Sequence, residues 1–122
     1  MSDITELVKS YLAAWNETDP AARQTRIAEV MAEDVEYTDP LVAVKGRDGL
    51  DAAMAAVQGQ FAGLEFSLAG PVDAHHNLAR FTWHLGRAGA KPVAVGFDAA
   101  VIGDDGRIGQ IFGFLDEVPS GF

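Results

Sequence analysis

Val93-Ala-Val-Gly-Phe-Asp-Ala-Ala-Val-Ile102 alternates between two faces with the period of a β-strand, and it carries one acid, Asp98, where strand interiors disfavour aspartate. Ala94, Gly96, Asp98, Ala100 and Ile102 share one face, while Val93, Val95, Phe97 and Val101 occupy the other. The neighbours of Asp98 on its own face are small and apolar, which predicts a hollow holding a single ionisable group. Uncompensated burial of a carboxylate is costly, so such a hollow marks a candidate ligand site. The rival reading is an aspartate that simply faces solvent.

Around this segment the second half of the chain reads as sheet. Leu64 to Val72, Leu78 to Leu85 and Arg107 to Glu117 are three further long strand candidates, separated by residues 73–77, 86–92 and 103–106. These short connections predict antiparallel neighbours. The first half reads as helices. Ile4, Leu7, Val8, Tyr11, Leu12 and Trp15 recur at helical spacing to about Asn16, after Asp3 and Glu6 in a capping-box pattern. Thr18-Asp19-Pro20 starts a second helix with the stripe Ile27, Val30 and Met31. A third opens at Gly46, carries Leu50, Met54, Val57 and Phe61, and stops at Gly63. Between the second and third helices, Val35 to Asp39 alternates as a short strand that Pro40 ends, with Val35, Tyr37 and Asp39 on one face. Helices followed by strands predict an α+β domain, its helices covering one face of a curved sheet.

Composition narrows the function. The 122 residues, 48% apolar, suit a single domain spanning 1–122 that buries roughly two-thirds of its unfolded surface. With 9 basic and 18 acidic residues the net charge is −9, which repels nucleic acid and anionic membranes alike. No cysteine is present, so disulfides, thiolate metal sites and thiol nucleophiles are excluded. The start, Met1-Ser-Asp-Ile-Thr-Glu, has no basic or apolar leader region, and no apolar run approaches membrane-spanning length. A cytoplasmic protein is the expectation, with Pro119 to Phe122 as a loose tail.

On the last strand Gly109, Ile111, Gly113 and Leu115 share a face, and the glycines suggest close approach or vacant space. Phe112 and Phe114 face the other way. Together with Phe97 and Val101 they would form a large exposed patch, which a homodimer through the outer sheet face would cover.

The order of these elements, with Ala32-Glu-Asp-Val-Glu-Tyr-Thr-Asp-Pro40, Gly46-Arg-Asp48, Ala69-Gly-Pro-Val72 and Asp104-Asp-Gly-Arg-Ile108, resembles the nuclear-transport-factor-2-like superfamily from about Leu7 to Val118. Within it the chain is most similar to the ketosteroid isomerases and the SnoaL-like polyketide cyclase group. The resemblance implies a cone-shaped, curved antiparallel sheet with three N-terminal helices covering its concave face. It also implies a catalytic set. Asp39 matches the general base, Tyr11 the oxyanion-hole tyrosine, and Asp98 the second donor, an acid kept protonated by an apolar site. Trp15, Tyr37, Met31 and Met54 are expected to line the substrate pocket with Trp83, Ile111 and Leu115. Met31 and Met54 stand where the bacterial isomerases place further tyrosines, so the polar network is shortened and the pocket suits a hydrophobic carbonyl compound other than a steroid.

The chemistry accounts for the residue types. Removing a proton next to a carbonyl develops negative charge on oxygen, which pre-aimed donors stabilise, and both tyrosine and a neutral aspartic acid can donate. The base must be ionised, so Asp39 is expected near the pocket mouth and Asp98 deep. No cofactor and no metal are required. His75 and His76 fall in a turn, His84 on an outer or interface position, and Arg47 at a helix start or beside an acid. The superfamily also supplies non-catalytic binding and dimerisation domains, which need only the pocket and the aromatic outer face. Epoxide hydrolysis is disfavoured, because the arginine that usually lies two residues from the strand aspartate is here Gly96.

Overall fold

The structure, a computed structural model, describes residues 3–119, so the expected tail falls outside the described residues from Ser120 onward. Helix α1 (Ile4–Asn16) begins where the Asp3 carboxylate accepts the Thr5 N–H at 2.9 Å. Glu6 completes no capping box; it lies 3.7 Å from Lys9. Helix α2 (Pro20–Val30) is capped by Asp19, which accepts the Ala22 N–H at 2.9 Å, with Pro20 at the position where a missing N–H costs nothing. The remaining elements are β1 (Met31–Thr38), β2 (Ala43–Lys45), α3 (Gly46–Gln60), β3 (Glu65–His75), β4 (Leu78–Gly86), β5 (Ala94–Ile102) and β6 (Ile108–Glu117).

The six strands form one sheet in the order β2-β1-β6-β5-β4-β3. Pairings from β3 through β6 are antiparallel, as the short connections predict. The β1–β6 pair is parallel, because the intervening chain runs through β2, α3 and three further strands before returning to the side of β1. The helices cover the concave face, with α1 against β3 and α3 against β1. Val8, Ile27, Met31, Leu50, Met54, Phe81, Ile108 and Ile111 fill the space between the layers.

Three boundaries differ from the sequence expectation. Met31 is the first residue of β1 rather than the last of α2's stripe: its N–H closes the helix on the Ile27 carbonyl, and its own carbonyl is taken by Arg47 at 2.8 Å. Arg47 therefore caps α2 instead of pairing with an acid. Strand β3 continues to His75 after a break in register between Ala69 and Asp73, leaving only His76 and Asn77 as the turn. The short β2, which pairs with the end of β1, was not expected at all.

Candidate active site

A cleft of about 420 Å³, mouth included, opens between α1 and the sheet. Helix α1 contributes Tyr11, Leu12 and Trp15; the end of β1 and the turn after it contribute Tyr37, Asp39 and Leu41; Phe66, Trp83, Asp98 and Leu115 come one each from β3 to β6. The structure thus brings together seven of the ten residues expected at the site: Tyr11, Asp39, Asp98, Trp15, Tyr37, Trp83 and Leu115. It does not bring Met31, Met54 and Ile111 to the cleft. All three are fully buried in the core between helices and sheet, away from the cleft lining. Leu12, Leu41 and Phe66 were missed.

Asp98 is 4% exposed and lies at the floor. Its two oxygens have different partners. The Tyr11 hydroxyl donates to Oδ2 at 3.0 Å, and the Trp83 indole N–H donates to Oδ1 at 3.2 Å. Burial pushes this carboxyl up to about 6, against the opposing pull of the Trp83 and Tyr11 hydrogen bonds, with the nearby Asp39 charge adding a smaller upward push. This stops short of the acid held neutral at pH 7 that the resemblance implies, since both donors favour the carboxylate. Tyr11 is raised well above the usual phenol range by its burial and then by Asp98.

Asp39 follows the end of β1 and is half-buried at the mouth. Its Oδ1 accepts the N–H groups of Leu41 and Val42 at 2.8 and 2.9 Å, so the side chain organises the turn around Pro40. Its Oδ2 accepts the Tyr37 hydroxyl at 2.6 Å. Tyr37 is also raised, by burial first and by the two aspartates after it.

Two glycines make this arrangement possible. Asp98 faces Gly113 across the β5–β6 pairing, where a Cβ would stand 2.9 Å from Asp98 Oδ1 and 3.2 Å from Asp39 Cβ, so the two acids approach each other over a bare backbone. At Gly96 a Cβ would collide with the Trp83 ring and the Phe114 carbonyl oxygen. The hollow expected beside Asp98 is therefore partly filled by an indole. Edge-to-face contacts link the walls, with Trp15 5.5 Å from Phe66 and Phe66 5.2 Å from Trp83.

Comparison with known proteins agrees with this architecture. A SnoaL-like domain matches residues 8–111. The chain belongs to the SnoaL-like family. Its fold is that of the nuclear-transport-factor-2-like superfamily. A SnoaL-like protein from Agrobacterium tumefaciens strain C58, described as a proposed isomerase, is 38% identical over 93% of this chain and 97% of its own, with a TM-score of 0.87. For a proposed SnoaL-like polyketide cyclase from Jannaschia sp. CCS1 the identity is 20%, over 95% of this chain and 90% of that one, at a TM-score of 0.70. A SnoaL-like protein of unknown function from Burkholderia thailandensis E264 is 14% identical over 96% of this chain and 99% of its own, at 0.73. These last two share the SnoaL-like fold only. No curated protein matches the sequence. Among the described residues no group of three or more His, Cys, Asp or Glu is placed to hold a metal, and no helix is long and apolar enough to cross a membrane.

Proposed function

We propose that this SnoaL-like protein is a cofactor-free proton-transfer enzyme that acts on a small hydrophobic carbonyl compound through an enolate. The observation that carries the reading is the convergence of two carboxylates of unequal burial on one aromatic cleft, each tethered to its own tyrosine hydroxyl. Asp39, near solvent, takes the proton from the carbon next to the carbonyl. Among the described residues its Oδ2 accepts only the Tyr37 hydroxyl, and an ionised carboxylate oxygen retains a further lone pair for that proton. The electron pair moves onto the carbonyl oxygen, which lies at the floor and receives hydrogen bonds from Tyr11 and from Asp98 in its protonated form. Asp39 then returns the proton to a different carbon, giving an isomer, or the enolate carbon attacks a second carbonyl of the same molecule, giving a ring whose new alkoxide oxygen takes up the proton held by Asp39.

The cleft also states what it excludes. None of its lining residues is basic, so a carboxylate or phosphate on the substrate would meet two acids and no counter-charge. The neutral donor form of Asp98 predominates below about 6 and is lost above it. A bound substrate that displaces water from the floor extends that form upward in pH. We propose further that the protein acts as a homodimer through its outer sheet face, where Phe97 and Phe114 stack at 5.0 Å.

Solvent-deuterium incorporation into a panel of uncharged enolisable ketones, followed by NMR, tests the reading. Wild-type protein is expected to exchange the proton next to the carbonyl. Asp39→Asn should slow exchange by about 10²- to 10⁴-fold while still binding para-nitrophenol, an enolate mimic. The rate should decline as pH rises past about 6 in the free enzyme. No exchange with any ketone, together with phenol binding that ignores Asp98→Ala, would replace this reading with a non-catalytic binding domain.

A further inference from the structure

We propose that Trp83 is a positioning residue for Asp98, fixing Oδ1 as a hydrogen-bond acceptor and so confining the acid's proton to Oδ2, the oxygen beside the Tyr11 hydroxyl. The proposal rests on the reading of Asp98 as a proton-donating acid of the cleft.

The Trp83 Nε1–H can donate and has nothing to accept with, and it points at Oδ1 at 3.2 Å. A proton placed on Oδ1 and directed along that line would oppose the N–H, whereas a proton on Oδ2 leaves the bond intact. A tyrosine hydroxyl can donate or accept, so Tyr11, 3.0 Å from Oδ2, tolerates either state of that oxygen. When Asp98 is ionised, both neighbours donate to it. When it is protonated, Trp83 still donates to Oδ1, and Oδ2–H and the Tyr11 O–H become adjacent donors free to converge on one ligand oxygen. Trp83 thereby decides which of two equivalent oxygens carries the proton.

The indole is held firmly enough to do this. Trp83 pairs with Gly96 across β4 and β5, and Asp98 lies two residues further along β5 on the same face, a diagonal neighbour within reach of a long side chain. The absence of a side chain at Gly96 seats the six-membered ring, since any Cβ there would overlap it. Phe66 meets the ring from β3 at 77°. The titratable groups that face Asp98 are Tyr11 from α1, Tyr37 from β1, and Asp39 just beyond it. Its partner across β6 is Gly113. None of these contacts Oδ1 with a donor, so Trp83 has no substitute.

Two variants test the proposal. Trp83→Phe removes the N–H and part of the ring. Replacement of Trp83 by benzothienylalanine substitutes sulfur for the N–H and keeps the shape. The Asp98 carboxyl is followed by carbon-13 NMR titration, with its resonance assigned by difference from Asp98→Asn. Both variants should raise the Asp98 midpoint by about half a unit or more, because a donor to the carboxylate is lost. Affinity for para-nitrophenol, compared at a pH below both midpoints so that Asp98 is protonated in each protein, should fall by about three- to tenfold. The loss caused by Tyr11→Phe should shrink in the benzothienylalanine background, because the two donors no longer act as a pair. An unchanged midpoint in the benzothienylalanine protein, or a Tyr11→Phe loss of undiminished size there, overturns the proposal. Nitrophenol binding that ignores Asp98→Ala in the otherwise wild-type protein would overturn the enolate reading itself; a midpoint that still moved would show the failure lay there and not in the Trp83 bond.

Discussion

At the scale of single residues the cleft trades stability for chemistry. Asp98 is buried with two neutral donors and no cation, and its folded-state midpoint of about 6 lies above its ordinary value of 3.8. Between those two values the folded state holds the proton more tightly than the unfolded chain, so the contribution of Asp98 is fully favourable below about 4 and is lost as pH rises to about 6. The loss is on the order of 3 kcal/mol. Asp98→Asn, which keeps the shape and removes the charge, should therefore be more stable than wild type at pH 7 by about 1 to 3 kcal/mol, with the difference shrinking toward pH 4. Urea denaturation of both proteins at pH 4, 5, 6 and 7 measures it. A pH-independent difference would mean that folding does not raise the Asp98 midpoint above its value in the unfolded chain.

At the scale of elements, what was legible depended on whether the information was local. The strand carrying Asp98 announced itself by alternation, and the glycine-bearing faces of β5 and β6 pointed to the cleft floor before any register was known. Tyr37 and Asp39, two apart on a strand face, were seen to share a side, and that spacing was the available signal for their hydrogen bond. The Trp83 bond was not legible. It needs the β4–β5 register, and the long turn at residues 86–92 does not fix one. The expected places of Met31 and Met54 failed for a similar reason: a residue's place in a stripe says that it is buried but not which cavity it borders. Arg47 and Arg23 show how far tertiary contacts override local signals. Arg23, on α2 and 5% exposed, donates to Asp51 at 2.6 Å and Gln58 at 2.9 Å on α3, and to the Glu17 carbonyl beyond α1 at 3.2 Å. One guanidinium thus joins all three helices above the cleft. Arg23→Ala should cost about 2 to 4 kcal/mol, because it leaves the partly buried Asp51 carboxylate and the Gln58 amide oxygen without their donor. A loss below about 1 kcal/mol in urea denaturation would show that Gln58, which also donates to the carbonyls of Trp15 and Glu17, holds the helices unaided.

For the whole molecule, the question is what happens on the face of the sheet that no helix covers. The strands alternate, so filling the concave side with Phe81, Trp83, Asp98, Ile111 and Leu115 necessarily sends Phe97, Phe112 and Phe114 outward. Phe112 and Phe114 are 42% and 52% exposed, and Phe114 lies nearly flat on Phe97, with 13° between the rings. The backbone beneath this patch also supports the cleft: Gly96, which seats Trp83, pairs with Leu115, and Phe97 pairs with Phe114 one step along. Covering the outer face by a second copy would hold the same two strands that carry the cleft floor, which is the physical reason to expect the dimer to matter to the site. The association must overcome a charge of −9 on each chain, so it should tighten as salt is added, opposite to an interface held by ion pairs. Phe114→Glu places a charge at the centre of the patch without touching the cleft lining. Analytical ultracentrifugation should find wild-type protein dimeric at micromolar concentration, with the dissociation constant falling between low and high salt, and the variant monomeric. The variant should also bind para-nitrophenol more weakly. A wild-type protein that remains monomeric at high salt would leave the aromatic face without a second copy and remove the dimer from the proposed function.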